Sequence, residues 1–419
     1  MNHLAPTRKL RIAIAVHGRF HAFDAARALL ELGHDVHIFT NLPAFVAKPF
    51  SIPRQRIHTL LVHGVLSRIA IHLGVFQYFE APLHRLFGRR VAQVIALHAK
   101  RYGAFDVVHV FSGVAEELLR HPDIAGLKTL LRGSAHIAVQ NQLLVQEAQR
   151  MQQSIDLPSA WMIAREEREY ALCDRVVVMS SFARRSFIDQ GFPAKQLLFG
   201  PAGAHTGDFY ANAAQRQRRA ERIASGAPLT VLLVGTVSAQ KGVFDLVRVV
   251  NALSDRMHFR FVGTVADDAL AITRQLGALE FVPRVAQQAL PDLYAQGDVF
   301  LHPTIQDGFA VVLVQALMAG LPVICTENCA ASDVVAEGKT GFVVPIRAPD
   351  AMIRQLEYLH TNRAALIGML ENLAQSHYDF SWLAAMRVFV NEHLRAMAEI
   401  SFVTASAQPP IAAATKFPQ

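Results

Sequence analysis

One segment in the second half of the chain combines an acid, a glycine and a helix start, an arrangement that can hold a hydroxyl-rich or anionic ligand. An apolar strand is predicted just before a loop from His302 to Gly308, and a helix is expected to begin near Phe309. Asp307 lies ahead of that helix, whose first amides lack partners within the helix and stand at its positive end. Gln315 follows about two helical turns later, so both side chains can face one ligand. The spacing is equally compatible with Asp307 as a helix cap and Gln315 on a solvated face.

A second segment places a lysine at the start of a helix. The sequence predicts a strand that ends at Gly235, a polar loop, and a helix opened by Lys241 and Gly242. A lysine in this position can contact a diphosphate, because its ammonium group and the first helix amides both favour an anion. The alternative is an exposed lysine without a ligand.

Two successive series of short apolar runs must position these loops. Strands that alternate with helices imply βαβ units and parallel sheets. The predicted strands of the first half are Leu10–Val16, Asp35–Phe39, Val107–Phe111, Lys128–Leu131 and Arg175–Met179. Those of the second half are Thr230–Val234, Phe259–Val262, Glu280–Val282, Val299–Leu301, Pro322–Cys325 and Gly341–Val344. Ligands of open α/β sheets bind beyond the carboxyl ends of the strands, so two facing sheets would present two half-sites to one cleft.

The stretch between the two series predicts a linker, because it is polar and then contains Gly226 and Pro228. We therefore expect a first domain over residues 1–206, a linker over 207–228 and a second domain over 229–378. Residues 401–419 are rich in Ala, Ser, Pro and Thr without periodicity, which predicts a disordered tail.

The composition is that of a globular protein with few cysteines. Hydrophobic residues make up 52% and charged residues 18% of 419 residues, which allows two or three domains with cores. The cysteines are Cys173, Cys325 and Cys329, a sparse set that fits a reducing cytoplasm. No Cys or His pair follows them at zinc-site spacing, so we expect no metal.

Positive charge is concentrated in the first half of the chain. Residues 1–210 hold 24 Lys and Arg against 16 Asp and Glu, whereas residues 211–419 hold 17 against 18. Residues 50–101 hold eight Lys and Arg against one Glu, with Phe76, Tyr78, Phe79 and Phe87 interleaved. This pattern suits a helix pair on an anionic membrane surface, and it equally suits an amphipathic layer over the sheet.

The sequence contains neither an apolar run long enough to span a membrane nor a recognised nucleic-acid-binding motif. We therefore expect a cytoplasmic protein, peripheral on the cytoplasmic face of the membrane if it binds there, and no nucleic-acid partner.

The segment from Phe300 to Pro345 resembles the signature of the retaining GT-B glycosyltransferases of family 4, the glycosyl transferases group 1. Its elements stand here as Pro303-Thr304, Asp307-Gly308-Phe309-Ala310, Gln315-Ala316, Gly320-Leu321-Pro322-Val323-Ile324 and Glu337-Gly338-Lys339-Thr340-Gly341-Phe342. The resemblance covers about residues 9–395 and is strongest from 229 to 345. It implies an α/β fold of GT-B type, in which two Rossmann-like, doubly wound domains face a central cleft. It also implies a C-terminal helix over 379–400 that packs back across both domains.

The resemblance assigns roles to individual residues. It implies that Asp307 holds sugar hydroxyls, that Gln315 holds the nucleotide ribose in place of a Glu, and that Lys241 contacts the diphosphate. Thr236 stands where the family has an arginine, and Arg284 or Arg19 can supply that charge instead.

The first domain contributes one residue to the catalytic set that the resemblance implies. His136 follows a buried strand at the position where the family has a histidine facing the cleft, where it would position the acceptor or the C6 hydroxyl of the sugar. The implied catalytic residues are His136, Asp307 and Lys241. The implied donor site comprises Gly18, Gly235, Thr236, Lys241, Gly263, Arg284, Asp307, Gly308, Phe309, Ala310, Val311 and Gln315.

The function that the resemblance implies is transfer of a sugar, with retention, from a nucleoside-diphosphate sugar to a glycan or polyprenyl-linked acceptor, without cofactor or metal. The replacements at Thr236 and Gln315 motivate an alternative, a non-catalytic GT-B binding or scaffold subunit. A nucleotide-sugar epimerase on the same fold is a further alternative, although no additional acid pair supports it.

Overall fold

A computed structural model describes residues 8–406, except residues 206, 208 and 377 and the side chains of residues 403–406. Within that range the chain forms two parallel sheets, each covered by helices on both faces. The expectation of two doubly wound domains is confirmed. Most of the predicted tail, from residue 407 onward, lies outside the described residues.

The first sheet has seven strands. They are β1 (Arg11–Val16), β2 (Asp35–Thr40), β3 (Ile57–Thr59), β4 (Val107–Phe111), β5 (Leu127–Arg132), β6 (Arg175–Val178) and β7 (Leu197–Phe199). Their order is β3-β2-β1-β4-β5-β6-β7, and all neighbours are parallel. The sequence analysis missed β3 and β7, because three residues are too few to show a periodic pattern.

Seven α-helices accompany this sheet in the described range. They are α1 (Ala22–Glu31), α2 (Leu61–His72), α3 (Phe76–Tyr102), α4 (Glu116–Leu119), α5 (Ile137–Met151), α6 (Ala160–Leu172) and α7 (Ser181–Asp189). The central strands are almost wholly buried between them, as an all-parallel sheet requires.

The second sheet has six strands, again all parallel. They are β8 (Thr230–Val237), β9 (His258–Val265), β10 (Leu279–Pro283), β11 (Val299–His302), β12 (Val323–Thr326) and β13 (Gly341–Val344), in the order β10-β9-β8-β11-β12-β13. Successive strands are added to one side of β8 as far as β10 and to its other side from β11 onward, and sheets of this type bind ligands at the point between β8 and β11 where the strand order reverses.

The remaining helices belong to the second domain or follow it. They are α8 (Ala213–Ala224), α9 (Val243–Leu253), α10 (Leu270–Thr273), α11 (Leu290–Ala295), α12 (Val311–Met318), α13 (Ala331–Val334), α14 (Pro349–Thr361), α15 (Arg363–Gln375) and α16 (Trp382–Ser406).

The predicted linker at 207–228 consists largely of helix α8, which packs on the second domain, so the connection is shorter than expected. Asn212 and Gln215 form a reciprocal capping box at its start. Arg219 of α8 is only 1% exposed and donates hydrogen bonds to the carbonyl oxygens of Gly297, Ala319 and Gly320 at 2.8–2.9 Å. A polar composition does not show that one of several arginines is buried in this way.

We expect Arg219→Met to lower the free energy of unfolding by about 2–4 kcal/mol, because it removes several charge-assisted hydrogen bonds and leaves buried carbonyls without donors. Arg218→Met, at the exposed neighbouring position of α8, is the matched control and should change stability by less than about 0.5 kcal/mol. Urea denaturation measures both, and equal effects of the two substitutions would contradict the anchoring role.

Helix α16 returns from the second domain to cover the first sheet. Its His393 lies 3.3 Å from the hydroxyl of Thr129 in β5, and Phe389 meets His109 of β4 edge-on at 5.0 Å between ring centroids. The helix continues to Ser406, so it includes the first residues of the segment predicted as a tail.

Helix α5 ties the first domain to the second. Arg150 of α5 pairs with Asp245 of α9, and Arg347 from the second domain donates to Glu147 of α5 at 2.9 Å. Both carboxylates have no exposed surface, so each buried charge is matched by a guanidinium group. This network helps to set the distance between the two sheets.

Candidate functional site

The carboxyl ends of the strands of both sheets open onto one cleft between the domains. A cavity of about 500 Å³ is lined from both sides, by His17, Phe20, His84, Arg132, Ser134 and Glu166 of the first domain and by Gln240, Asp307, Gly308, Phe309 and Ala310 of the second, among others. A second cavity, of about 210 Å³, lies within the second domain and includes Gly235, Thr236, Lys241, Phe261, His302 and Pro303. Asp307, Ala310 and Val311 line both cavities. The predicted loop from His302 to Gly308, called here the acidic loop, therefore lies where the two cavities meet.

Lys241 and Asp307 form an ion pair between the second-domain loops that follow β8 and β11. The other carboxylate oxygen of Asp307 accepts hydrogen bonds from the amides of Phe309 and Ala310, at 3.2 and 3.1 Å. Burial by itself would raise the pKa of Asp307, but Lys241, His302 and the hydrogen bonds to the carboxylate hold it below its usual value. Asp307 is therefore a fixed carboxylate, which suits it to orient hydroxyl groups. The structure thus brings the two predicted residues together.

Lys241 is held in place by the glycine that follows it. Gly242 has φ +76°, and a Cβ there would lie 2.8 Å from the carbonyl carbon of Pro303 and overlap its oxygen. Only glycine lets this turn pass so close to the loop after β11. Gly235 and Gly263 are paired side by side near the ends of β8 and β9, where a Cβ on Gly263 would overlap the carbonyl oxygen of Gly235.

The two domains touch at the predicted acidic loop. The hydroxyl of Ser134 donates to the side-chain oxygen of Gln306 at 2.6 Å. A Cβ on Gly308 would lie 2.6 Å from the carbonyl carbon of Gly133 and overlap its oxygen. Gly308 therefore permits the loop to pack directly on the first domain.

Ala310 occupies a backbone conformation that suits glycine, with φ +65°. This conformation costs an alanine about 1–2 kcal/mol, partly offset by the entropy that glycine loses on folding. We expect Ala310→Gly to raise the free energy of unfolding by about 0.5–1 kcal/mol. Urea denaturation checks the result against Ala365→Gly within α15, which should instead destabilise by up to about 1 kcal/mol. A destabilising Ala310→Gly would show that the left-handed backbone is not strained.

His136 was predicted to face the cleft, but it lines neither cavity. Its ring packs against Tyr170 and Phe187 at 4.9 Å between centroids, and its Nδ1 accepts from the amide of Ala138 at 3.2 Å as the N-cap of α5. Burial, followed by the nearby charge of Arg132, lowers the pKa of His136 to about 4. The capping bond draws the ring under the helix, so the residues just before it, Arg132 to Ser134, face the cleft instead.

Gln315 was predicted to face the same ligand as Asp307, but it lies inside the second domain. It is 5% exposed, and its side-chain oxygen accepts from the hydroxyl of Tyr294 at 3.2 Å. Helix α12 begins only at Val311 and leads away from the cleft, so one turn later its side chains already lie in the core.

Three further predicted donor-site positions, Gly18, Gly263 and Arg284, also lie outside the two cavities, as does Arg19, the alternative cation. Arg284 is exposed after β10, the outer edge strand of its sheet, which is separated from β8 by β9. Gly18 lies in the turn after β1 with φ +86°, where its amide donates to Asn41 at 2.7 Å. Arg19 places its guanidinium over the ring of Phe50 at 5.3 Å. In the described range none of these replaces the missing cation beside Thr236.

Sequence reasoning missed several residues that line the cleft. Glu166 of α6 lies 3.1 Å from the guanidinium of Arg132, and His17 packs near His84 at 5.7 Å between centroids. His302, at the end of β11, is 7% exposed, and its Nε2 is buried without a hydrogen-bond partner beside Asp307. The strand ends were the available signal for His17 and His302. Glu166 gave no signal, because it lies in the middle of a helix.

Five buried histidines predict a loss of stability in mild acid. Burial lowers the pKa of each to about 4, and none is more than 7% exposed: His37, His63, His136, His302 and His393. In the unfolded chain these groups titrate near pH 6.5, so between about pH 6.5 and 4 the unfolded state binds more protons than the folded state. Stability is therefore complete above this window and is lost as the pH falls through it. We expect the free energy of unfolding by urea to drop by at least about 3 kcal/mol from pH 7 to pH 5, and a constant value would contradict the buried neutral histidines.

One group of possible metal ligands in the described part of the chain lies away from the cleft. It consists of His37, His58 and His98, on β2, β3 and α3. Arg56 lies 2.7 Å from the Nε2 of His37 and Arg11 lies 3.4 Å from the Nδ1 of His98. Two guanidinium groups this close disfavour another cation. That the candidate site needs no metal stays a prediction.

Within the described range, no helix combines the length and the apolar composition needed to cross a bilayer.

Part of the second domain is similar in sequence to known glycosyltransferases. Residues 228–362 match the sequence model of the family described as Glycosyl transferases group 1. The GDP-mannose-dependent alpha-(1-6)-phosphatidylinositol monomannoside mannosyltransferase of Mycobacterium tuberculosis is 26% identical over 211 residues, which are 47% of this chain and 55% of that protein. The D-inositol 3-phosphate glycosyltransferase of Geodermatophilus obscurus is 26% identical over 265 residues, 58% of this chain and 57% of that protein. The matches thus span about half the length of these curated relatives.

The whole chain is also similar to solved structures. Sucrose-phosphate synthase from Thermosynechococcus elongatus superposes with a TM-score of 0.67 at 18% identity, covering 95% of this chain and 100% of that one. Identity at this level shows the fold alone. The chain is therefore a protein of GT-B fold whose residues 228–362 match the model of the glycosyl transferases group 1.

Proposed function

We propose that this protein transfers a sugar, with retention, from a nucleoside-diphosphate sugar to a glycan or polyprenyl-linked acceptor. The observation that carries the proposal is the Lys241–Asp307 ion pair. It lies where the cavity of about 210 Å³ within the second domain, called here the donor-side cavity, meets the interdomain cleft. A cation and a fixed carboxylate at one point match the two parts of such a donor, an anionic diphosphate and a sugar rich in hydroxyl groups.

Lys241 would neutralise the diphosphate as it leaves. The first-turn amides of α12, at Val311 and Val312, have no acceptor one turn before them within the helix and add donors at its positive end. Donors fixed before the reaction stabilise developing charge without reorganising, which is the main contribution of a protein to such a step.

Asp307 would orient the sugar rather than remove a proton. One of its oxygens accepts two backbone amides and the other pairs with Lys241, and its low pKa makes it a weak base. Orientation of this kind converts binding into a productive geometry.

The acceptor would enter from the first-domain side of the cleft. His17, Arg132 and Glu166 line that side, and Phe20 is 67% exposed at its edge. An exposed aromatic ring offers a face on which an acceptor sugar can stack. We also propose that the acceptor is presented at an anionic membrane surface contacted by residues 50–101, in line with the lipid named for the mycobacterial relative.

The proposal is tested by thermal shift with UDP, GDP, ADP and their common sugar conjugates. A nucleotide at a hundred times its dissociation constant adds about 2.7 kcal/mol of stability. We expect one nucleotide series to stabilise the protein. Transfer from that donor to candidate acceptors is then followed by mass spectrometry, and the anomeric configuration of the product is read by NMR. An inverted product would overturn retention.

Three residues favour a second candidate, a GT-B protein that binds without turnover. Gln315 and His136 both point away from the cleft, and Thr236 offers no charge to the diphosphate. This candidate predicts no nucleotide shift even at millimolar concentration, and neither transfer nor donor hydrolysis.

A further inference from the structure

Helix α2 is amphipathic in the reverse of the usual sense. Its buried positions are small or polar, namely His63, Gly64, Ser67 and Ala70. Its large apolar side chains and that of the residue after it face solvent: Leu61 (48% exposed), Val62 (74%), Val65 (53%), Leu66 (43%), Ile69 (51%), Ile71 (60%) and Leu73 (65%). A contiguous apolar face of this kind marks an interaction site rather than an ordinary surface.

The orientation of α2 is fixed by close packing, so the exposed face does not result from a loosely attached helix. A Cβ on Gly64 would overlap the carbonyl oxygen of Asn41, because α2 lies directly on the loop after β2. His63 packs against His17 and Phe87, at 5.1 and 5.2 Å between ring centroids. Rotation of α2 to bury its apolar face would break all three contacts.

The surface next to α2 carries aromatic rings and then positive charge. Tyr78 and Phe79, in the first turn of α3, are 74% and 52% exposed. Further along, α3 exposes Arg85, Arg89 and Arg90, and α2 itself exposes Arg68. Within α2 and α3 the one acidic residue is Glu80, which accepts a hydrogen bond from Ser159 at 2.5 Å. The whole surface is therefore apolar and basic.

We propose that the exposed face of α2 and the first turn of α3 insert into the headgroup boundary of a membrane containing anionic lipids. Apolar side chains at this depth gain burial, while neighbouring arginines pair with lipid phosphates. A second copy of the chain fits less well, because it would bring the same positive charge to the interface. Helix α2 adjoins the acceptor side of the cleft, because His63, on the buried face opposite to the inserted one, packs against His17, which lines the cleft. The inference deepens the proposed function, since it places the cleft at the membrane where a lipid-linked acceptor would lie.

Vesicle binding tests the proposal without donor or acceptor. The full chain is centrifuged with vesicles of phosphatidylcholine alone and of phosphatidylcholine with phosphatidylglycerol in equal parts. We expect binding mainly to the anionic vesicles. The double variant Val65→Glu, Ile69→Glu should weaken that binding about a hundredfold, because each of the two apolar side chains withdrawn from lipid costs roughly a factor of ten. Leu270→Glu, an exposed apolar position on α10 of the second domain, is the matched control and should bind as the unmodified chain does.

Insertion is separated from simple charge attraction by a fluorescent probe. The native cysteines are at most 9% exposed, so an environment-sensitive dye on Val65→Cys reports from α2 alone. We expect a blue shift with anionic vesicles, and none from the same dye on Leu270→Cys. Equal binding of the Val65→Glu, Ile69→Glu variant, or an unshifted dye, would overturn the proposal.

Self-association is the rival outcome. In that outcome the unmodified chain is a dimer by light scattering, whereas the Val65→Glu, Ile69→Glu variant is a monomer. If neither protein then binds vesicles, the face is an interface between copies and the proposal fails. Circular dichroism confirms that the variant is folded. Nucleotide thermal shift is measured in parallel, so a failed donor site and a failed membrane site give different results.

Discussion

Lys241→Ala is expected to lower kcat/KM for the nucleotide-sugar donor by about 10²–10³-fold, because it removes the cation that would meet the leaving diphosphate. Thr236 supplies no second charge, and neither Arg284 nor Arg19 lines the donor-side cavity, so no neighbouring cation in the described range compensates. The nucleotide thermal shift should also shrink, since the diphosphate is present in the ground state as well.

The control is Lys339→Ala, at an exposed lysine of the same domain. It should leave both the thermal shift and kcat/KM within about twofold of the unmodified protein, as is usual for surface substitutions. An undiminished nucleotide shift in Lys241→Ala would show that the diphosphate binds elsewhere, and the donor site proposed here would then be wrong.

The loss of Lys241 has a consequence for pH dependence. The lysine is the first of the groups that oppose burial and hold the pKa of Asp307 down. In Lys241→Ala the pKa of Asp307 should rise, so residual activity should decline at a higher pH on the acid side than in the unmodified protein. A pH–rate profile of both proteins measures this shift.

Gly308→Ala is expected to reduce kcat by about 10²-fold while largely preserving nucleotide binding. The added methyl group would overlap the carbonyl oxygen of Gly133 and lie 2.9 Å from the Cα of Ser134, so the acidic loop would have to separate from the first domain. A displacement of about 1 Å between reacting groups costs about this factor. The donor-side cavity lies within the second domain and would stay intact.

Gly368→Ala in α15 provides the comparison for the Gly308 variant. A Cβ there meets no atom within 4 Å, so this substitution should leave kcat unchanged and raise stability by about 0.5–1 kcal/mol. Thermal shift with nucleotide and steady-state kinetics measure both variants. Normal kcat in Gly308→Ala would show that contact between the domains at this loop is not needed for transfer.

Sequence patterns were sufficient to predict the candidate site residues that lie in loops directly after strands. Lys241 and Asp307 follow β8 and β11, which are neighbours in the second sheet, and loops at the carboxyl ends of adjacent parallel strands must lie together. The strand–helix alternation likewise predicted both sheets, because buried parallel strands are continuous apolar runs that a linear pattern reveals.

Where the sequence reasoning failed, the direction of a side chain depended on packing. His136 turns under α5 to cap it, and Gln315 lies one turn inside α12 against Tyr294. Arg219 is one of several arginines in its stretch, and only the position of the carbonyls around it makes it an anchor. None of these orientations follows from the neighbours of a residue along the chain.

The sequence by itself determined the two-sheet architecture, the loops at the switch point of the second sheet, and the basic, aromatic character of residues 50–101. Each of these depends on local periodicity or on residues close together in the chain. The tertiary structure decided which side chains line the cleft, that Gly308 packs on Gly133, and that α2 turns its apolar face outward. The physical reason is that burial is set by contacts between residues distant in sequence, so an apolar helix face indicates a partner but does not say whether that partner is the protein core or a membrane.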